Sequence, residues 1–398
     1  MGRLLLMESG IGVVRDSRIL FTCRPLSGHF DPMVPLAEAA RDAGHTVGFA
    51  SGAPITQRAR DAGFLAFEAG PPDTFRAEWA PRFPHFTTLV GDAQREFFFT
   101  EIFAKLELAP RAADLESIMS EWRPHLVVHE MAELAAPLIS TSLGIPYVDV
   151  GYGPLIDRAL LRAAGTAAAP HWQARGLEPH PLAGMFRHLY IDPCPPTLQN
   201  PEIADLDAVQ QLRPTVAEHV DQRPSWMSSL PHKQTVYLTL GTIWNTDADL
   251  FRLAIDALAN RVNLIVTVGR QNDPEQFGPQ PAGVVIRSYI PQDELLPWCD
   301  AAVIHGGSGT VLGALAHGVP LLVLPQGADQ WNNADRVAAA GAGLRLLRDE
   351  ISVDAIRHAV TALLNEPSYR RTSTTIAGEI RVMPSAAEAT TRIEALII

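Results

Sequence analysis

Basic residues are in short supply: 32 Lys and Arg stand against 44 Asp and Glu in 398 residues, a formal net charge of −12. A chain this acidic has no general attraction to phosphate backbones or anionic lipid, so nucleic acid and membrane surfaces are poor partners. Cysteine is scarcer still. Cys23, Cys194 and Cys299 are odd in number, far apart and without a CxxC spacing, which argues against a disulfide framework and a zinc site. A reducing cytosol is the expected compartment. No run of about twenty apolar residues occurs, so no membrane span is expected. The short run Leu4 to Met7 is too brief for a signal h-region, and residues 1–17 read as a disordered leader.

What is present fits a globular protein, since 47% of residues are hydrophobic and only 19% charged. The length exceeds what one core usually supports, so two domains are expected. Strands of four to six apolar residues alternate with helical patterns: Arg18–Cys23, Thr46–Ala50, His125–Val128 and Pro146–Val150 in the first half. In the second half they are Val236–Leu240, Val262–Val268, Val284–Arg287, Ala301–Ile304 and Leu321–Leu324. That alternation predicts α/β architecture, two doubly wound parallel sheets covered on both faces. The first helix is expected to open at Asp31 as N-cap with Pro32 at N1, and another to span Glu133–Leu143.

The alternation fails between Gly151 and Pro231, where prolines are frequent. The expected organisation is a leader (1–17), a first domain (18–208), a linker (209–232), a second domain (233–380) and a C-terminal segment (381–398). The helix at Ala386–Ile397 is expected to pack back on the first domain. Ligands of such sheets sit beyond the carboxyl ends of strands, so two sheets face to face would make one deep cleft.

Three motifs in the second half fall at strand ends. His305-Gly306-Gly307-Ser308-Gly309-Thr310 joins a strand to a helix, where glycines admit close approach and a helix N-terminus offers free N–H groups to a diphosphate. It is neither a P-loop nor a clean GxGxxG fingerprint. Tyr289-Ile290-Pro291-Gln292 precedes it and Pro325-Gln326-Gly327-Ala328-Asp329-Gln330 follows. In these ordered motifs the chain resembles the family-one glycosyltransferases, most closely the actinomycete enzymes that decorate antibiotics, over nearly its whole length.

The resemblance implies the GT-B arrangement of two Rossmann-like domains facing across a cleft. It implies donor contacts from Tyr289 on the base, Ile290 and Gln292 beside it, and His305, Gly307, Ser308, Gly309 and Thr310 around the diphosphate. Asp329 and Gln330 would bond the sugar, with Gly241 and Thr242 facing phosphates and sugar. Many UDP-glucose enzymes of the family carry a Glu eight residues after the motif His, where this chain has Gly313. A site without that carboxylate loses nothing on a 2′-deoxyribose, which favours a dTDP-sugar, with a UDP-sugar the alternative.

His29, in Ser27-Gly28-His29-Phe30 after the first strand, matches the family's general base, and Glu130 the carboxylate that orients it, with Glu133 as fallback. His45 reads as structural. The resemblance implies an inverting, metal-independent transferase with no cofactor beyond the nucleotide sugar. Asp205-Leu206-Asp207 and Asp247-Ala248-Asp249 imitate a metal-binding DxD but fall near the linker and at a helix start. Phe75, Trp79, Phe83, Phe86, Phe99 and Phe103 form an aromatic concentration, expected to wall a pocket for a hydrophobic polyketide, macrolide or polyphenol acceptor. A sugar-nucleotide epimerase of the same architecture and a non-catalytic helper of a partner transferase are the rival readings; monomer and homodimer are both compatible.

Overall fold

The computed structural model describes residues 16–71, 80–215, 222–241 and 247–397. Two parallel sheets organise them. The first contains β1 (Arg18–Thr22), β2 (Thr46–Ser51), β3 (Leu65–Glu68), β4 (Leu126–Glu130), β5 (Tyr147–Val150), β6 (Leu189–Asp192) and β7 (Val209–Gln211), in the order β3-β2-β1-β4-β5-β6-β7. The second contains β8 (Thr235–Thr239), β9 (Asn263–Thr267), β10 (Val284–Arg287), β11 (Ala301–Ile304), β12 (Leu321–Val323) and β13 (Gly343–Arg345), in the order β10-β9-β8-β11-β12-β13.

Alternate residues of each strand feed opposite layers. Leu20 packs into one core while its neighbours Ile19 and Phe21 pack into the other. In the second sheet Tyr237 separates Val236 and Leu238 in the same way. The period of two in side-chain direction, with helices on both faces, explains why these strands are apolar throughout. Each sheet also has one place where the strand order reverses, β1/β4 in the first and β8/β11 in the second. Such switch points open a crevice at the carboxyl ends of the strands.

Several boundaries differ from expectation. The first helix does not start at Asp31. A turn of helix, Ser27–Phe30, runs on through Asp31–Met33 into Val34–Asp42, and Asp31 instead pairs with Arg58 at 2.5 Å. The helix expected at Glu133 begins at Ala135, with the Glu133 carboxylate accepting from Ala135 and Ala136 N–H. Residues 151–231 are more regular than their prolines suggest: helix Arg158–Gln173 and strands β6 and β7 lie there. The segment 209–232 is therefore not all linker, because 209–211 form the edge of the first sheet. Residues 1–15 of the expected leader and 216–221 of the linker lie outside the described residues.

Helix Ala386–Glu394, started by a Ser385/Glu388 capping box, packs on helix Val34–Asp42. Ala389, Ile393 and Ile397 enter the first domain's core, and Glu394 Oε1 lies 2.9 Å from His45 Nε2. His45 Nδ1 accepts from Ser17 N–H. Burying each isoleucine is worth about 1.5–3 kcal/mol, enough to hold the end of the chain on the other domain. Among the described residues no helix is long and apolar enough to cross a membrane.

Candidate active site

Both halves of the predicted site sit at the switch points. His29 follows β1 and Glu130 ends β4; Gly241 follows β8 and His305 follows β11. His29 Nδ1 lies 3.1 Å from Glu130 Oε1, an ion-pair distance. The His29 side chain is 19% exposed and Glu130 1%. Glu130 also accepts from Arg24 N–H at 3.1 Å and Ala132 N–H at 2.6 Å. Burial alone would raise its pKa, but the His29 charge and these hydrogen bonds prevail and hold it at about 2. The carboxylate is ionised throughout the physiological range.

Glu133 is not an alternative partner for His29. Its Oε2 lies 2.7 Å from Arg111 Nη1 and 3.4 Å from Thr22 Oγ1. Arg24 forms a second ion pair with Glu107 and lays its guanidinium 3.8 Å from the centre of the Phe103 ring. These groups, with Leu108, Ala132, Leu134 and Ala135, line a small recess beside the dyad.

The aromatic residues divide. Phe98–Glu107 winds as a π-helix, whose wider turn stacks Phe98 on Phe103, five residues on, at 5.9 Å. Phe103 also meets Phe99 at 5.1 Å, and Phe99 continues into the main core. Phe83 and Phe86 join Phe97 and Ile102 in a separate small cluster. Of the four candidate wall residues that are described, only Phe103 lines the recess; Phe75 and Trp79 lie outside the described residues.

On the other side, Gly306 adopts φ +98° and the turn delivers Ser308 to the start of helix Ser308–Ala316. His305 is buried, which pushes its pKa down to about 4 and leaves the imidazole neutral. A Cβ at Gly241 or Gly307 would lie 2.4 or 2.6 Å from His305 Nε2, so both glycines are needed for main chain to pass the ring. His305 Nδ1 is buried and without a hydrogen-bond partner among the described residues. Ser308 donates from N and Oγ to Asp329 Oδ2 at 3.2 and 2.6 Å, and Asn333 Nδ2 donates to the same oxygen at 3.0 Å.

Gln330 opens helix Gln330–Ala340. It is buried, and its Oε1 accepts from Gln326 and Gly327 N–H to close the loop. Gln292 Nε2 donates to Thr310 Oγ1 at 3.2 Å, and Gly309 faces open space. Tyr289 is 47% exposed with the Arg270 guanidinium 3.8 Å from its ring centre, while Ile290 packs into the domain core. Thr242 lies outside the described residues. Asp247 caps helix Ala248–Leu258 and Asp205 pairs with Arg158, which gives both DxD look-alikes structural partners. Among the described residues no group of three or more metal-ligating side chains occurs.

The halves meet. Arg336 donates to the carbonyls of Leu198 and Gln199, Asn332 Nδ2 to that of Pro154, and Gly153 lies against Ser308. Sequence reasoning passed over the contact residues Tyr152, Asn333 and Arg336; the pattern Gly151-Tyr152-Gly153 immediately after a strand was the available signal.

The sequence matches the family described as erythromycin biosynthesis protein CIII-like, its N-terminal domain over residues 38–241 and its C-terminal domain over 253–396. It is 32% identical over 375 residues to L-demethylnoviosyl transferase of Streptomyces niveus, covering 93% of this chain and 96% of that one. To 3-alpha-mycarosylerythronolide B desosaminyl transferase of Saccharopolyspora erythraea it is 27% identical over 414 residues, covering 93% and 96%. Among solved structures, the glycosyltransferase SnogD from Streptomyces nogalater superposes with a TM-score of 0.70 at 27% identity, covering 96% of this chain and all of that one. Spinosyn rhamnosyltransferase SpnG complexed with thymidine diphosphate has the same fold, with a TM-score of 0.77 at 23% identity over 95% of this chain and all of that one.

Proposed function

Because the chain belongs to the erythromycin biosynthesis protein CIII-like family of antibiotic glycosyltransferases, we propose that it moves a deoxysugar from a dTDP-sugar to a hydroxyl of a hydrophobic secondary metabolite. The observation that carries this reading is the His29–Glu130 pair at one switch point and the Gly-rich turn at the other, joined by the loop whose Tyr152 meets His29 and whose Gly153 lies against Ser308.

In the proposed reaction the acceptor hydroxyl gives its proton to His29 Nε2 while Nδ1 stays on Glu130. The acceptor oxygen bonds to the anomeric carbon as the bond from that carbon to the β-phosphate oxygen breaks, and dTDP leaves with the electron pair. One base and one displacement invert the anomeric centre. The negative charge that develops on the diphosphate falls near the N–H groups of helix Ser308–Ala316 and neutral His305, which supports a reaction without metal. Asp329 and Ser308 hold each other until a diphosphate competes for the Ser308 N–H.

A dTDP donor is supported by Gly313, where no carboxylate waits for a ribose hydroxyl, and by the thymidine diphosphate bound to the solved relative. The test is turnover of dTDP- and UDP-sugars against a panel of polycyclic and macrocyclic aglycones, with the product anomer read by proton coupling. Product from dTDP-sugars with inverted configuration is expected. Turnover of the nucleotide sugar alone would point to an epimerase, and retained configuration would rule out the single-base mechanism.

A further inference from the structure

The loop Gly151-Tyr152-Gly153-Pro154 leaves the carboxyl end of β5 and runs between the two halves of the cleft. Its glycines serve close contact on both sides. A Cβ on Gly151 would lie 2.3 Å from the Tyr190 hydroxyl, inside the first domain, and one on Gly153 would lie 2.4 Å from Ser308 Oγ, in the Gly-rich turn of the second. The main chain is pressed against both domains, and the side chain between these glycines sits where they meet.

That side chain meets the candidate base. The rings of Tyr152 and His29 lie 5.4 Å apart at 66°, edge to face, while the rest of Tyr152 packs on the first domain's core. Burial raises the phenol's pKa well above its usual value, and the carboxylates of Glu130 and Asp329, one from each domain, push the same way. The hydroxyl therefore stays neutral and does not compete with His29 for the acceptor's proton. Glu130 meets the His29 ring at one nitrogen, and the edge-to-face contact with Tyr152 gives the imidazole a second support.

We propose that Tyr152 is a positioning residue: the contact of its ring keeps the His29 imidazole turned so that Nδ1 stays on Glu130 and Nε2 faces the diphosphate turn. The inference rests on the reading of His29 as base. It acts through His29 alone, which makes it separable by experiment.

Full-length Tyr152→Leu, Tyr152→Phe, His29→Ala and the His29→Ala/Tyr152→Leu double variant are compared for kcat, donor KM and calorimetric dTDP affinity. Tyr152→Leu is expected to lose about ten- to a hundred-fold in kcat, as displaced catalytic groups do, with dTDP affinity unchanged. Tyr152→Phe keeps the ring and restores kcat. In the His29→Ala background, Tyr152→Leu costs nothing further, because the pair acts as one unit. A Tyr152→Leu enzyme at the wild-type rate overturns the proposal, as do a Tyr152→Phe enzyme as slow as Tyr152→Leu, a collapse of dTDP affinity, and additive losses in the double variant. Wild-type turnover by His29→Ala would instead remove the proposed function on which the inference stands.

Discussion

The first-domain wall of the cleft carries its polarity on paired side chains, whereas the second-domain wall, apart from the Asp329 carboxylate that holds Ser308, carries it on main chain and neutral groups. His29 faces Glu130, Arg24 faces Glu107 and Arg111 faces Glu133 on one side. On the other stand Gly241, Gly306 and Gly307, a helix N-terminus and an imidazole kept neutral by burial. In the proposed reaction the difference follows from what each wall has to hold. A diphosphate brings its own charge and is best met by oriented N–H groups that need no counter-ion of their own. A neutral hydroxyl brings none, so the protein must supply the charge that moves the proton, and it keeps that charge paired because unpaired buried ions are costly.

If that division holds, the walls fail separately. His29→Ala is expected to lower kcat by about 10³, within the range of general-base contributions, while dTDP affinity by calorimetry stays at the wild-type value. Loss of both would mean that the halves are not distinct in function. Glu130→Gln keeps the shape but not the charge, and kcat should fall by about a hundredfold, the lower end of general acid–base contributions.

The same carboxylate gives a pH signature. Its pKa is depressed in the fold from 4.5 to about 2, so its contribution to stability is present above pH 4.5 and is lost as the pH falls toward 2. Thermal melts of wild type and Glu130→Gln should therefore differ most at neutral pH and converge in acid. A gap that widens on acidification would contradict the assignment.

The opposite wall is broken by Gly307→Ala. The added Cβ, 2.6 Å from His305 Nε2, forces the turn to move, and dTDP affinity should drop about tenfold or more with the acid stability profile unchanged. The smallest effect is expected at Gly313→Glu. A Cβ there meets only Leu296 and Gln292 atoms at ordinary contact distance, and the new carboxylate should shift the UDP:dTDP affinity ratio several-fold toward UDP. An unchanged ratio would remove Gly313 as a reason for the dTDP preference.

The contrast also explains what could be read before the fold was known. The proposed diphosphate turn is contiguous, and its shape lies in backbone freedom that Gly306 and Gly307 declare directly. The first-domain wall is assembled by parallel pairing of β1, β4 and β5, which brings together His29, Glu130 and Tyr152 from separate loops. Only the first two were reached, and they came through family resemblance. Helix Arg158–Gln173 was hidden by Gly165 and Pro170, residues that usually break helices. Gly165 is there because a Cβ would lie 2.3 Å from the Pro181 carbonyl, a tertiary reason that local pattern does not show. The π-helix Phe98–Glu107 escaped for a different cause: an α-helical period pairs Phe99 with Phe103 and misses the stack with Phe98.

A crystal structure of the enzyme with dTDP and an aglycone on which it turns over bears most directly on this account. The diphosphate should rest on the Ser308 end of its helix with Asp329 released from the Ser308 N–H, and an acceptor hydroxyl should lie within hydrogen-bond reach of His29 Nε2. A diphosphate bound away from that turn, or an acceptor oxygen that His29 cannot reach, would contradict it.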